Sequence, residues 1–396
     1  MKELISRIQQ TLQQENLDGW LLFDFRGRNE IANHILRRRQ DQMGTRRWFY
    51  YIPANGEPVR ICHRIESHAL DDYPGQLVIY LSWQELHQAL ASALSGAQRI
   101  AMEYSPQNQI PYISLADAGT VELIRSLGVE VVSSADLVQM FEAVWDEEQV
   151  ALHFEAARRL MAIKDGAFDY VRDALKHGRR VHEYEVQQWI WNEFERRGMV
   201  ADHPPIVAVN ERASDPHFAP TASDTREIRM GDVLLIDLWA KMNHPRGIYA
   251  DSTWMAYVGD TVPDEVQTVF RIVYEAQQRA YQLIKERFEA GQAIFGWEAD
   301  RAARAWITEQ GYGKYFIHRT GHSIGYEVHG NGCNLDNLET RDNRRLIPGT
   351  GFSIEPGIYL ETFGVRSEID VYLDPIKGPI ITTSPWQTEV IALLRD

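Results

Sequence analysis

Cysteine is nearly absent from this chain: 396 residues hold two, Cys62 and Cys333. Two thiols cannot build a disulfide framework, and they form no cysteine-based zinc pattern, so a reducing, cytoplasmic setting is expected. No uninterrupted apolar run approaches the roughly 20 residues of a membrane-spanning helix. The opening Met1-Lys2-Glu3-Leu4-Ile5-Ser6-Arg7 is charged and amphipathic, unlike a signal peptide. Positive charge is also scarce. The 41 Lys and Arg stand against 56 Asp and Glu, a net charge of −15. That balance argues against nucleic acid as a partner and predicts good solubility. A nucleotide-binding glycine fingerprint, low-complexity segments, short-period repeats and a His-Glu-x-x-His zinc helix are all missing.

What remains is the composition of an ordinary globular protein, 44% hydrophobic and 24% charged. Its length suggests about two domains of roughly 100–200 residues each. The first 145 residues alternate short strands with helices. Leu4, Ile5, Ile8 and Leu12 recur at helical spacing, and Gly19–Phe25 reads as a buried strand. Further strands are expected at Trp48–Ile52, Val59–His63, Leu77–Ser82, Ile100–Glu103 and Val129–Val132, with helices at Trp83–Leu94 and Leu115–Leu127. This is a small α/β domain. Near residue 145 the pattern changes to long amphipathic helices, about Glu147–His177 and His182–Arg197. The second domain, 146–396, continues with strands Ile206–Asn210, Val233–Lys241 and Ile248–Val258. Helices Asp264–Glu289 and Trp297–Gln310 follow, then strands Gly351–Leu360 and Val365–Leu373.

The stretch Val233-Leu-Leu-Ile-Asp-Leu-Trp239 places one carboxylate inside an apolar run. Alternation puts Val233, Leu235, Asp237 and Trp239 on one face. An ionised Asp237 buried there costs several kcal/mol unless a cation meets it. Three more carboxylates share such settings: Asp251 in Ile248–Trp254, Glu355 in Phe352–Tyr359 and Glu368 in Val365–Val371. Any one alone reads equally as a buried salt bridge. Four together would repel strongly, and two divalent cations would cancel them. The two carboxylate-bearing strand pairs, each after long helices, hint at a duplicated αββ unit. His318, His322 and His329 crowd one glycine-punctuated segment and supply nitrogen donors. His217, in Ser-Asp-Pro-His-Phe, fits a site or a plain surface turn.

The order Asp237, Asp251, His322, Glu355, Glu368, in these contexts, resembles the pita-bread metallopeptidases: the methionine aminopeptidase, prolidase and aminopeptidase P superfamily. The resemblance covers about residues 150–396. Residues 1–145 look like the N-terminal domain that prolidase, aminopeptidase P and creatinase carry. It implies an α+β pita-bread catalytic domain behind a smaller α/β domain. It implies two divalent metal ions, Mn²⁺ first, with Co²⁺, Zn²⁺ or Fe²⁺ as alternatives. Asp237 would hold one ion, His322 and Glu355 the other, and Asp251 and Glu368 would bridge. Glu355 would also shuttle a proton from the metal-bridging water, leaving the hydroxide that attacks. His329 would hold the scissile carbonyl, His217 and His318 would contact substrate, and Arg366 would support the carboxylates. The implied substrate is a short peptide with proline on the leaving side, cut by an Xaa-Pro dipeptidase or aminopeptidase. A homodimer is expected on the same ground.

The sequence departs from the family pattern around the ligands. Trp239 stands where a small residue is usual, Ser323 follows His322, and Ile369 separates Glu368 from Asp370. The 14-residue Asp237–Asp251 spacing is long, which predicts that Lys241–Arg246 bulges at the hairpin turn. Trp239, Phe218, Phe295 and Tyr326 are candidate pocket walls. These departures keep two alternatives open: a hydrolase or lyase of a small non-peptide metabolite on the same fold, and a non-catalytic metal-binding scaffold.

Overall fold

The computed structural model describes residues 1–38 and 44–395, and the chain divides into two compact units, Met1–Glu142 and Ala143–Asp396. Among the described residues no helix is long and apolar enough to cross a membrane. Both cysteines are buried and free, one in each unit. Burial pushes the Cys62 thiol up to about 11, so it is inert at neutral pH.

The N-terminal unit is one six-stranded mixed sheet with helices on both faces. Its elements are α1 (Lys2–Gln14), β1 (Gly19–Asp24), α2 (Glu30–Ile35), β2 (Trp48–Pro53), β3 (Val59–His63), β4 (Gln76–Tyr80), α3 (Trp83–Ala93), β5 (Arg99–Met102), α4 (Ala118–Ser126), β6 (Glu130–Ser133) and α5 (Ala135–Val138). The strand order is β4-β3-β2-β1-β5-β6. Alternation along β1 sends Trp20 and Leu22 to the face covered by α1 and α2, and Leu21 and Phe23 to the face covered by α3 and α4. The short helix α2 has no counterpart in the sequence-based reading.

Glu103 lies at the end of β5, fully buried. Trp20 Nε1 donates to it at 2.7 Å, Asn29 Nδ2 at 2.8 Å and Ser134 Oγ at 3.3 Å. No cation balances it in these bonds, and burial raises its pKa despite the three donors. A carboxyl with a raised folded-state pKa stabilises most below its unfolded value, and that stability is lost as pH rises. Glu103→Gln cannot ionise. Its melting temperature relative to wild type should therefore climb between pH 5 and pH 8. A difference independent of pH would show that Glu103 keeps an ordinary pKa.

The second unit builds two helix-plus-strand-pair repeats. In the first, α6 (Glu147–Lys176) and α7 (Glu183–Arg196) precede the short strands β7 (Met199–Val200) and β8 (Ile206–Val209) and the hairpin of β9 (Val233–Met242) and β10 (Tyr249–Tyr257). In the second, α8 (Asp264–Glu289) and α9 (Gly296–Glu309) precede β11 (Ser323–Ile324), β12 (Gly351–Ile354), β13 (Gly357–Tyr359), β14 (Gly364–Arg366), β15 (Ile369–Asp374) and β16 (Gly378–Ile381). A last strand, β17 (Ile391–Ala392), pairs with β10. This is the α+β pita-bread architecture behind a smaller α/β domain. An Asp146–Gln149 capping box starts α6, and the α6 residues Ala156, Leu160 and Ile163 pack on Leu234, Ile236 and Leu238. The opposite face of the hairpin, with Val233 and Leu235, meets α8 and α9.

The length expected to bulge at the hairpin turn, over Lys241–Arg246, is taken up there. The β9–β10 register runs unbroken from Val233↔Tyr257 to Lys241↔Tyr249, and the extra residues lie in the turn after Met242. The strands expected as Gly351–Leu360 and Val365–Leu373 are each interrupted, at Glu355-Pro356 and at Ser367-Glu368. Pro356 has no N–H to give a ladder, and the amides of Glu355 and Glu368 turn to other partners.

Candidate metal centre

The hairpin register sets the first two carboxylates. Asp237 pairs with Thr253 and Asp251 with Trp239, so all four side chains share one face. Across the interruption in the second ladder, Ile354↔Ile369 and Gly357↔Arg366 keep one register. That places Glu355 opposite Glu368. The freed amides tie the pieces together. Glu355 N donates to Thr320 O at 2.7 Å, and Glu368 N to Thr253 O at 3.2 Å. Thr253 Oγ1 also donates to Glu368 Oε2 at 2.8 Å, and Asp251 N to Asp370 Oδ2 at 2.7 Å.

His322 arrives from a separate segment. Its amide donates to Ser353 Oγ at 3.0 Å, and Ser353 N donates to its carbonyl at 2.8 Å. His322 Nδ1 lies 3.1 Å from Ser323 O, which assigns the proton to Nδ1. Nε2 then carries a lone pair. It faces Glu355 Oε1 at 3.3 Å, Asp251 Oδ2 at 3.7 Å and Glu368 Oε1 at 4.0 Å. Burial, then His329 and Arg319, hold His322 well below its ordinary pKa, so the ring is neutral. Burial and mutual repulsion raise Asp251 and Glu368 well above the usual carboxylate range, and burial pushes Glu355 up to about 7.

These are acceptors facing acceptors. Asp237 Oδ1, Asp251 Oδ1 and Glu368 Oε1 are buried without a hydrogen-bond partner. Ligand atoms of Asp251, His322 and Glu368 lie within 4.8 Å of one another. The missing element is positive charge, and oxygen and imidazole donors suit a divalent cation. Asp237 is engaged differently: its Oδ2 pairs with the Arg366 guanidinium. Arg366 also donates from Nε to Thr253 Oγ1 and from Nη1 to Tyr359 Oη, both at 3.1 Å.

His318 is close to this network but not free within it. Its Nδ1 meets Arg319 O at 2.7 Å and its Nε2 meets Tyr359 Oη at 2.6 Å. Burial and the nearby Arg366 charge hold its pKa at about 3. Tyr359 Oη links it to Arg366. His329 packs its ring 4.4 Å from that of His322, with an edge open to solvent. His217 is exposed in its loop. Of the proposed walls, Trp239 donates from Nε1 to Asp202 at 2.9 Å, and Phe218 lies 4.8 Å under the Arg212 guanidinium. Tyr326 is half-buried beside Trp145 and Tyr249. Phe295 stacks near Trp297 at the start of α9. Thr253, Ser353, Tyr359 and Asp370 were missed from sequence. For Thr253, Ser353 and Asp370 the available signal was a hydroxyl or acid two residues from a carboxylate ligand; Tyr359, four residues past Glu355, carried none.

The model of metallopeptidase family M24 matches residues 155–375. The chain belongs to metallopeptidase family M24. It is a metallo-exopeptidase of that family. An uncharacterized peptidase, YqhT of Bacillus subtilis, is 32% identical over 300 residues, 75% of this chain and 76% of that protein. The dipeptidase PepE of Mycobacterium ulcerans superposes with a TM-score of 0.74 at 22% identity, covering 99% of this chain and 97% of that one. An Xaa-Pro dipeptidase of Bacillus anthracis gives 0.67 at 23% identity, covering 98% and 99%. At these identities the two superpositions speak for the M24 fold. The match spans every carboxylate of the centre together with His322 and His329.

Proposed function

We propose that this M24 peptidase is a dinuclear exopeptidase that hydrolyses Xaa-Pro bonds. The observation that carries the reading is the neutral Nε2 of His322 facing Asp251, Glu355 and Glu368, with one buried oxygen each of Asp251, Glu368 and the neighbouring Asp237 left without a partner. Asp237, Asp251, His322, Glu355 and Glu368 would hold two divalent ions, Mn²⁺ in the first instance. When bound, such ions supply hydroxide near neutral pH and polarise the scissile carbonyl.

The chain's own groups do the rest. Glu355 is the most reachable of the acids, with 14% of its side chain exposed. A carboxylate at that position would carry a proton from water to the leaving nitrogen. His329, beside His322, is placed to donate an N–H to the developing oxyanion. His217, exposed in the loop before β9, would contact the substrate. Arg366 orients Asp237, and the His318–Tyr359 pair braces Arg366. A proline nitrogen lacks N–H, so selectivity falls to shape; Trp239 and Phe218 provide flat walls. The two free, buried cysteines support a reducing location such as the cytoplasm.

The test is turnover of Xaa-Pro dipeptides, Xaa-Pro-Xaa tripeptides and Xaa-Ala controls, with Mn²⁺ or Co²⁺. Proline substrates should exceed alanine ones in kcat/KM by about tenfold or more, the scale of a well-shaped apolar pocket. Equal turnover of Xaa-Ala would remove the proline assignment. Turnover of a non-peptide metabolite with none of any peptide would remove the whole reading.

A further inference from the structure

We propose that the N-terminal unit holds a small-molecule site of its own, for a zwitterion: a free amino acid with an apolar side chain. β1 and β5 are adjacent and parallel. The chain leaves β1 for α2 on one face of the sheet and leaves β5 for α4 on the other. Connections departing to opposite faces open a crevice outside the carboxyl ends of the two strands, the usual place for a ligand in an open α/β sheet. A cavity of about 800 Å³ lies there, within the range of small-molecule pockets. It is lined by residues 23–29 after β1, residues 114–123 after β5, and Arg47 at the entry to β2.

The lining has three chemistries. Arg28 and Arg47 bring two guanidinium groups, and neither meets a carboxylate among the described residues. Arg28 also lies 5.9 Å over the Phe25 ring. A guanidinium fork is the favoured protein partner of a carboxylate. Phe23, Phe25, Leu115 and Leu123 supply an apolar floor. Asp117 is the one acid. It caps α4 by accepting from Thr120 N at 2.9 Å on Oδ1 and from Thr120 Oγ1 at 2.7 Å on Oδ2. Each oxygen keeps further accepting capacity. The Asp117 carboxylate puts a full negative charge at the helix start, which outweighs the partial positive charge of the α4 terminus, so a phosphate is repelled there and an ammonium attracted. Two positive groups, one negative group and an apolar surface together complement an α-carboxylate, an α-ammonium and an apolar side chain.

The test is calorimetric titration of the full-length, metal-loaded protein with L-phenylalanine as probe. Arg28 and Arg47 are solvent-accessible, so Arg28→Gln/Arg47→Gln should fold, with melting curves as the check. Asparagine caps helices as well as aspartate, so Asp117→Asn keeps α4. The double arginine variant should bind L-phenylalanine about tenfold or more weaker, as loss of charged hydrogen bonds implies. Asp117→Asn should weaken L-phenylalanine while leaving N-acetyl-L-phenylalanine, which lacks the ammonium, unchanged. Binding unaffected in the double variant would place the ligand elsewhere and overturn the site, as would no heat at 10-fold above about 1 mM, the weak end of small-ligand affinity. Equal loss of both probes in Asp117→Asn would overturn the zwitterion. None of these outcomes depends on whether the enzyme cuts Xaa-Pro bonds.

Discussion

Chelation of the purified protein should abolish peptide hydrolysis and lower its melting temperature, and returning Mn²⁺ should restore both. The reason lies in the crowding of acceptors. Asp251, His322 and Glu368 converge within 4.8 Å, all buried, and three carboxylate oxygens of the centre find no donor. Removing positive charge from such a group leaves buried repulsion uncompensated. A ligand present at 100 times its Kd stabilises the folded state by about 2.7 kcal/mol. For a unit of this size each kcal/mol moves the midpoint by about 2–4 °C. The loaded protein should therefore melt about 5–10 °C above the stripped one. Hydrolysis that persists in excess chelator, with an unmoved melting curve, would leave the carboxylates without a metal role.

The second large effect is expected from Glu355→Gln. Removing a proton-transfer group of this kind lowers kcat by roughly 10²–10⁴. The same substitution takes one charge out of the crowd around His322 Nε2, which Glu355 Oε1 approaches at 3.3 Å. Gln keeps the size of the side chain and a carbonyl oxygen for the Ser353 hydroxyl, now 3.3 Å from Oε1. The metal-free variant should thus melt no lower than metal-free wild type while losing nearly all turnover. Opposite signs for stability and activity separate a chemical role from a structural one. A variant that loses both together would show that Glu355 chiefly holds the fold.

Some parts of this molecule were readable before any coordinates. Alternation along Val233–Trp239 is a local property of an extended chain, so the facing of Asp237 and Trp239 followed from it, and β9 shows it. The long helices were equally plain, because their apolar spacing persists over many turns; Asp264–Glu289 runs as expected. The acids stood out because buried carboxylates are expensive wherever they occur.

Other features needed the tertiary structure. The breaks at Glu355 and Glu368 arise because their amides bond to Thr320 and Thr253, partners 35 and 115 residues away, and no local period encodes that. Whether His318 was free or held depended on the Tyr359 hydroxyl, 41 residues on. Local chain chemistry thus decided which side chains could be buried and on which face. Long-range hydrogen bonding decided which of them meet, because a contact between distant segments is selected by the packing of the whole unit.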